Sequence, residues 1–229
     1  MSGFDWQQII SDSIPAIISG LVIALIVYGL DERRARRELK LKFFMIASSW
    51  EVSEPKVSMR NFNLAKTNLS GYDLSNANLE MANLSKSELW ATELENANLR
   101  KTNFYKAELV GTNFTNVTAW NANFSNSTIT NHEYANLDHI PKFVEADLFY
   151  ARFKNATIMA ADYKNANLNG SDFTGAVVRN CDFSNANFEN SKWLKVKHVE
   201  NCIWKEVKNT TPEMFSKEIW EEIQRQNAE

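Results

Sequence analysis

The chain has 229 residues, with 25 Lys+Arg against 28 Asp+Glu and a formal net charge of -3. That length holds one ordinary domain with an appendage, or two small domains, and the near-neutral balance excludes the strongly basic surface of a general nucleic-acid binder. Two Cys exclude a disulfide framework, and seven Gly with four Pro exclude a linker-rich chain. Asparagine is the odd feature: 27 residues, more than Leu or Lys. Asn favours turns over helices and strands, so this content predicts many tight, regular turns.

Residues 1–12 form a short tail carrying Asp5 and Asp12. Residues 13–30, SIPAIISGLVIALIVYGL, contain no charge. As a helix this run spans about 27 Å, enough for a thin hydrocarbon core. A secretory signal would begin with basic residues and end in a small-residue cleavage site. Here the start is acidic and the run leads into Asp31-Glu32-Arg33-Arg34. A buried core helix is the other reading, and the flank argues against it. Arg33, Arg34, Arg36, Arg37, Lys40 and Lys42 crowd the C-terminal side of the run. The positive-inside bias then places the body that follows in the cytoplasm and the tail outside, at a cell membrane crossed once. The same six cations are candidates for contact with anionic headgroups. Ala16, Gly20 and Ala24 fall four apart, a spacing that lets membrane helices approach closely and makes this stripe a candidate for homo-oligomerisation. Residues 31–56 read as a basic juxtamembrane helix followed by an N-terminal cap.

From Met59 large apolar residues recur at every fifth position: Leu64, Leu69, Leu74, Leu79 and onward to Phe114, then Phe124, Ile129 and Tyr134, with Ala119 out of pattern. Two positions before each centre sits a smaller residue, such as Ala77, Ala82, Thr92 or Ala97. A period of five fits neither a helix nor a strand. It suits a solenoid whose five-residue unit makes one side and one corner. Outward positions repeat at twenty: Asn63, Asn83, Asn103 and Asn123 align, as do Lys66, Lys86 and Lys106, and as do Gly71 and Gly111 with Ala91 between. Four units per coil, stacked at strand spacing, predict ladders of like side chains in which amides can hydrogen-bond. The phase breaks near 135–145 and resumes with Leu148 as the next clear centre, which predicts a loop or an altered coil there. The new phase runs to Trp193, decays at His198 and recovers weakly at Ile203.

Units such as Ala77-Asn78-Leu79, Ala97-Asn98-Leu99 and Ala166-Asn167-Leu168 resemble the A-(D/N)-L-x-x unit of the pentapeptide-repeat family. The resemblance implies a mainly β chain, folded over 57–208 as a right-handed quadrilateral β-helix with the centres and small residues inside. Residues 209–229 read as a C-terminal helix, because Thr210-Thr211-Pro212-Glu213 starts one and Phe215, Ile219 and Ile223 share a face. It serves as a capping helix or, as in some resembling proteins, a dimerisation helix.

Catalytic motifs are missing: there is no Gly-rich phosphate loop and no G-x-S-x-G. His132 and His139 flank the phase break beside Glu133 and Asp138 without a metal-ligand spacing. Cys181 occupies an inward small position, and counting places Cys202 outward one rung away. Flat solenoid sides offer no desolvated pocket, so the expectation is a non-enzyme without cofactor or metal. Some resembling proteins inhibit or protect DNA gyrase by imitating DNA, which needs an acidic surface. Residues 59–203 carry 15 acidic and 14 basic residues, with a short acidic stripe of Asp73, Glu93, Glu95 and Glu133 beside Glu88 and Glu108. Trp90, Tyr105, Val110, Trp120, Phe149, Tyr150 and Met159 fall at outward positions and are the candidate partner-binding residues. The alternative is that the 135–145 segment folds over Trp120 and Phe149. These features lead to a membrane-tethered scaffold that presents a rigid rod to a protein partner. The alternatives are a membrane effector assembling through its helix, and a DNA-mimic regulator of gyrase.

Overall fold

The computed structural model describes residues 58–131 and 140–228. Residues 13–30, including Ala16, Gly20 and Ala24, lie outside them, as do Arg33 to Lys42 and the cap expected within 31–56. Among the described residues no helix is long and apolar enough to cross a membrane.

Each coil is twenty residues long. The amide of Leu64 donates to the carbonyl of Asn83 at 2.8 Å, that of Leu74 to Glu93 at 2.7 Å and that of Leu79 to Asn98 at 2.8 Å. Every bridge between coils is parallel, from Ser58 with Asn78 to Asn187 with Lys208. Four five-residue units therefore close one coil, and the described residues from Ser58 to Lys208 form a four-sided parallel β-helix. The first side has centres Leu64, Leu84, Phe104 and Phe124. The second has Leu69, Leu89, Leu109 and Ile129, the third Leu74, Leu94 and Phe114, and the fourth Leu79, Leu99 and Ala119. The second side carries a five-stranded parallel sheet in the order β1 (Glu108–Val110), β2 (Thr128–Thr130), β3 (Thr157–Met159), β4 (Val177–Arg179) and β5 (His198–Glu200).

The corners explain the asparagine content. The residue two after a centre adopts a left-handed backbone: φ is 57° at Asn76, 58° at Asn96, 59° at Lys66 and 57° at Lys106. Asn enters this region at less cost than most residues, and Gly at none. Asn also works just before a centre. The Asn83 side-chain oxygen accepts the Ser85 amide at 3.1 Å, and its amide donates to Asn63 at 3.3 Å. Asn103 donates to Asn83 at 3.2 Å and Asn123 to Asn103 at 3.0 Å, so the ladder read from the sequence is present.

Inside, two aromatic stacks run down opposite sides. Phe104, Phe124, Phe153, Phe173 and Trp193 stack at 4.2–4.9 Å on the first side. Phe114, Phe143, Tyr163, Phe183 and Trp204 stack at 4.6–5.1 Å on the third. Edge contacts such as Phe114–Phe124, at 5.7 Å and 85°, interlock the two. The rings are fully buried. Each contributes about 1.5–3 kcal/mol through burial, with a smaller increment from offset and edge geometry.

Two insertions interrupt the period. Asn113 pairs with Lys142 and Ile129 with Ile158, an offset of 29 where 20 is normal, so nine residues are added. The addition falls at the corner between the second and third sides. Phe114 stacks directly on Phe143, and Pro141 is buried at the small inward position. The register thus resumes at Phe143, one unit before Leu148. Tyr134, His132, Glu133, Asp138 and His139 lie outside the described residues.

The second insertion is a single residue. Asp172 pairs with Lys192, twenty on, but Val177 pairs with His198, twenty-one on. The amides of Lys197 and His198 both point at the Ala176 carbonyl, at 2.9 and 3.4 Å, which is a β-bulge. A one-residue slip moves every later side chain to the other face. Ile203, read from the sequence as a centre, is therefore 48% exposed, and Trp204 is 1% exposed in its place. Cys202, counted as outward, is buried beneath Cys181 for the same reason.

At the C-terminal end Pro212–Met214 makes a 3-10 turn, closed by the Met214 amide on the Thr211 carbonyl at 3.1 Å. The α-helix itself, α1 (Lys217–Asn227), begins five residues later than Pro212. Between them Phe215 is extended, and its ring reaches Phe188, Trp193 and Trp204 at 5.9–6.0 Å. The Gln226 side chain donates to the Cys202 carbonyl at 3.0 Å and accepts the Trp204 amide at 2.7 Å. Asn227 donates to the Trp204 carbonyl at 2.8 Å and accepts the Glu206 amide at 2.6 Å. Two side-chain amides thus stand where the next rung's peptide groups would be, covering an edge that would otherwise invite pairing.

Candidate interaction surface

The residue after each centre projects outward, and twenty-residue stacking turns these positions into columns. On the fourth side the column includes Arg100, Trp120 and Phe149. The Arg100 guanidinium lies 4.1 Å from the Trp120 ring centroid. The Trp120 indole N–H donates to the Asp147 carboxylate. Trp120 meets Phe149 edge-on at 6.1 Å, and Phe149 meets Tyr150 at 4.4 Å and 78°. Trp120 is 38% exposed and Tyr150 49%, while Phe149 is half-buried. Tyr150 occupies a corner at φ 55°. Its ring lies across Gly170, where an added Cβ would stand 2.6 Å from ring carbon Cε1. Glycine at the next rung is what lets this ring lie flat.

The other candidates lie elsewhere. Trp90, Val110 and Met159 share a column on the second side, with Thr130 between the last two. Trp90 is 42% exposed, and Val110 and Met159 are half-buried. Four units per coil put the second and fourth sides back to back. Tyr105 is alone on the first side, with the Lys106 ammonium 5.5 Å from its ring. The seven residues thus occupy three sides, and Trp120, Phe149 and Tyr150 form the ring-to-ring cluster among them. Arg100 and Asp147, which fix Trp120, were not singled out from the sequence. The signal was available for Arg100, twenty residues before Trp120.

Charges pair along the columns. Lys164 bridges Asp162 at 3.1 Å and Asp182 at 3.0 Å. Its pKa is raised by Asp182 first and then Asp162. Burial pushes the Asp182 carboxyl up, but the Ser184 hydroxyl and amide and the Lys164 ammonium outweigh it, and the net shift is downward. Asp172 behaves alike, with Thr174 and Lys154 as the lowering groups. The acidic stripe is tempered by amide donors: Asn113 donates to Glu93 at 2.7 Å and Asn68 to Glu88 at 2.9 Å. Among the described residues no group of His, Cys, Asp and Glu is arranged to hold a metal. A groove between the last coil and α1 is lined by Cys202, Trp204, Ile219 and Glu222 among others.

A four-sided parallel β-helix of stacked five-residue units defines, over the described residues, a repeat protein of the solenoid class. A model of pentapeptide repeats, in eight copies, matches residues 56–90, 92–131 and 151–190. The chain belongs to the pentapeptide-repeat family. The unmatched stretch 132–150 contains the nine-residue insertion, and the match ends just before the bulge. Solved structures similar to this chain include a pentapeptide repeat protein from the Arabidopsis thaliana thylakoid lumen. It is 22% identical over 49% of this chain and 68% of that one, with a TM-score of 0.26. Full-length QnrB1, a plasmid-mediated fluoroquinolone resistance protein, is 13% identical over 72% and 84%, with a TM-score of 0.25. HetL, involved in heterocyst differentiation regulation in the cyanobacterium Nostoc sp., is 19% identical over 66% and 86%, with a TM-score of 0.22. Comparison with curated proteins produced no match.

Proposed function

We propose that this protein is a membrane-tethered, non-catalytic scaffold that offers the fourth side of its rod to a protein partner. The observation that carries the reading is the Arg100–Trp120–Phe149–Tyr150 column. Aromatic rings held by a cation, a carboxylate and one another lose little side-chain freedom on docking, the usual property of interface anchors. The tether is supported by the uncharged run 13–30 and its basic flank, from which the positive-inside bias gives a rod on the cytoplasmic side of a cell membrane. Small residues at 16, 20 and 24 allow homo-oligomerisation and hence avidity from weak single contacts. The reading needs no cofactor, and the near-balanced, internally paired charge of the rod disfavours DNA mimicry.

The test is crosslinking and capture from membranes with the full chain. Trp120→Ser with Phe149→Ser is compared with Trp90→Ser with Met159→Ser on the second side. Loss of the same partner in the first pair alone supports the docking role. Equal capture by both pairs ends it. The second reading, a membrane effector assembling through its helix, is favoured by the Ala16, Gly20 and Ala24 spacing. Replacing residues 13–30 with a neutral membrane helix abolishes activity under that reading and leaves the tethered scaffold working.

A further inference from the structure

Cys181 and Cys202 occupy consecutive rungs of one inward column, the position held by Thr92, Thr112, Pro141 and Ala161 above them. The Thr92 and Thr112 hydroxyls donate to the carbonyls of Leu69 at 2.9 Å and Leu89 at 2.6 Å. The Cys181 sulfur lies 3.9 Å from the Ile158 carbonyl and 3.2 Å from that of Arg179. The Cys202 sulfur lies 3.9 Å from the Val178 carbonyl and 3.4 Å from that of Glu200. Each thiol thus sits at the same point of its own rung, one above the other, and both are free. Rungs of a parallel β-helix are about 4.8 Å apart, inside the roughly 4.4–6.8 Å Cα separation that a disulfide spans. The stacking exists because of the bulge at 197–198; without it Cys202 would face solvent.

The two thiols are unequal. Cys202 lines the groove beside α1 and is 5% exposed, whereas Cys181 is 1% exposed. Hydrogen bonding from Cys181 holds the Cys202 pKa below its ordinary value, and burial pushes Cys181 up. Cys202 is the sulfur that a small oxidant reaches through the groove, and Cys181 stands behind it as the resolving thiol.

The geometry points to a redox modification site: Cys202 and Cys181 form a reversible disulfide when a small hydroperoxide enters the groove beside α1. The Cys202 thiolate attacks one peroxide oxygen; the O–O bond breaks, and the departing oxygen leaves as water or alcohol after taking a proton. The product is a sulfenic acid at Cys202. The Cys181 sulfur attacks that sulfur, the S–O bond breaks, the thiol proton leaves with the oxygen as water, and the S–S bond forms. Two thiols have lost two electrons, and the peroxide has gained them. Thiol–disulfide exchange with two equivalents of a small thiol reverses the change.

The link staples the last coil to the one before it, directly under the Gln226 and Asn227 contacts that hold α1. Closing a loop of this size in the opened state lowers its population by about two orders of magnitude. The test uses the full chain in detergent micelles, treated with hydrogen peroxide and then with an alkylating reagent. The expected result is loss of two alkylation sites, a tryptic product joining the peptides of Cys181 and Cys202, and recovery of both thiols with a dithiol reductant. Amide exchange at Trp204 and Glu206 slows about a hundredfold on oxidation. C181A and C202A each abolish the crosslink; Ala161 occupies the same column, so alanine fits there. C181A in addition accumulates sulfenic acid at Cys202, which a dimedone adduct reports. Two thiols that remain alkylatable, oxidation that stops at sulfinic acid, or a disulfide only between molecules would each overturn the assignment.

Discussion

Gly170 and Gly71 make a matched experiment on how the exposed tyrosine is held. Both are corner residues with left-handed backbone, φ 68° and 74°. An added Cβ at Gly71 meets nothing within 4 Å, whereas at Gly170 it meets the Tyr150 ring at 2.6 and 2.7 Å. Gly71→Ala therefore carries only the conformational term, about 1 kcal/mol. Gly170→Ala carries that term and must also swing the Tyr150 ring away, breaking its edge contact with Phe149. That contact is worth about 0.5–1.5 kcal/mol, so the total is roughly 2 kcal/mol. In a Tyr150→Ala background the Gly170→Ala cost falls back to about 1 kcal/mol, a coupling of roughly 1 kcal/mol between neighbours. Urea unfolding followed by circular dichroism reads all four variants, and the midpoint in heat moves by roughly 2–4 °C per kcal/mol for a chain of this size. Equal costs for Gly71→Ala and Gly170→Ala, within 0.3 kcal/mol, would refute the placement of Tyr150 across Gly170. The partner assay offers a second readout, because Gly170→Ala displaces one aromatic of the proposed docking column while leaving its chemistry intact.

Phe124→Ala removes a ring stacked at 4.9 Å on both Phe104 and Phe153 and costs about 3–5 kcal/mol in urea unfolding. Nearest-neighbour coupling in a solenoid makes a mid-rod cavity lower cooperativity as well, seen as a smaller denaturant slope. Gln226→Ala removes two hydrogen bonds to the last rung. It raises hydrogen exchange at Trp204 about tenfold, with little effect at Leu99, nearly five coils up. The depressed Asp182 and Asp172 carboxyls stabilise the fold above their unfolded pKa near 3.8, and that contribution is lost as pH falls through their lower folded values. Lys164→Met removes one lowering group, so the Asp182 carboxyl titrates at higher pH by NMR; an unmoved Asp182 would mean the bridge is absent in solution. Supercoiling by DNA gyrase is expected to be unaffected by micromolar full-length protein, since the rod lacks a sustained acidic surface.

Much of the rod was legible because its physics is one-dimensional. A five-residue unit with a small residue and a large centre fixes which side chains face inward, and a twenty-residue repeat fixes which stack. From those periods follow the Asn63–Asn123 ladder, the regular turns at the corners and the outward placement of Trp90 and Trp120. What counting could not supply is what happens between units. Trp90 and Trp120 are both outward, but they sit ten positions apart in the period and so on opposite sides; outwardness alone does not say which residues share a face. The Arg100–Trp120 and Trp120–Asp147 contacts depend on rotamers, which the pattern does not encode.

The two insertions show why length is a poor guide to disruption in this architecture. Nine residues added at a corner leave every column intact, because a corner carries no pairing register and the chain re-enters at Phe143 directly beneath Phe114. One residue added within the second side shifts every later side chain by one place, because a paired side has no room for it except as a bulge. That shift exposes Ile203, buries Trp204 and turns Cys202 inward onto Cys181. Deleting Lys197 would restore the twenty-residue spacing, bury Ile203 and expose Trp204 beside Cys202. Loss of the Trp204–Phe215 contact at 6.0 Å and of the Gln226 and Asn227 pairings would release α1. Limited proteolysis cutting ahead of residue 217 in that variant, together with faster alkylation of Cys202, would show that the bulge is what seats both the helix and the thiol pair. A variant as resistant as the parent would show that α1 is held by something other than the shifted register.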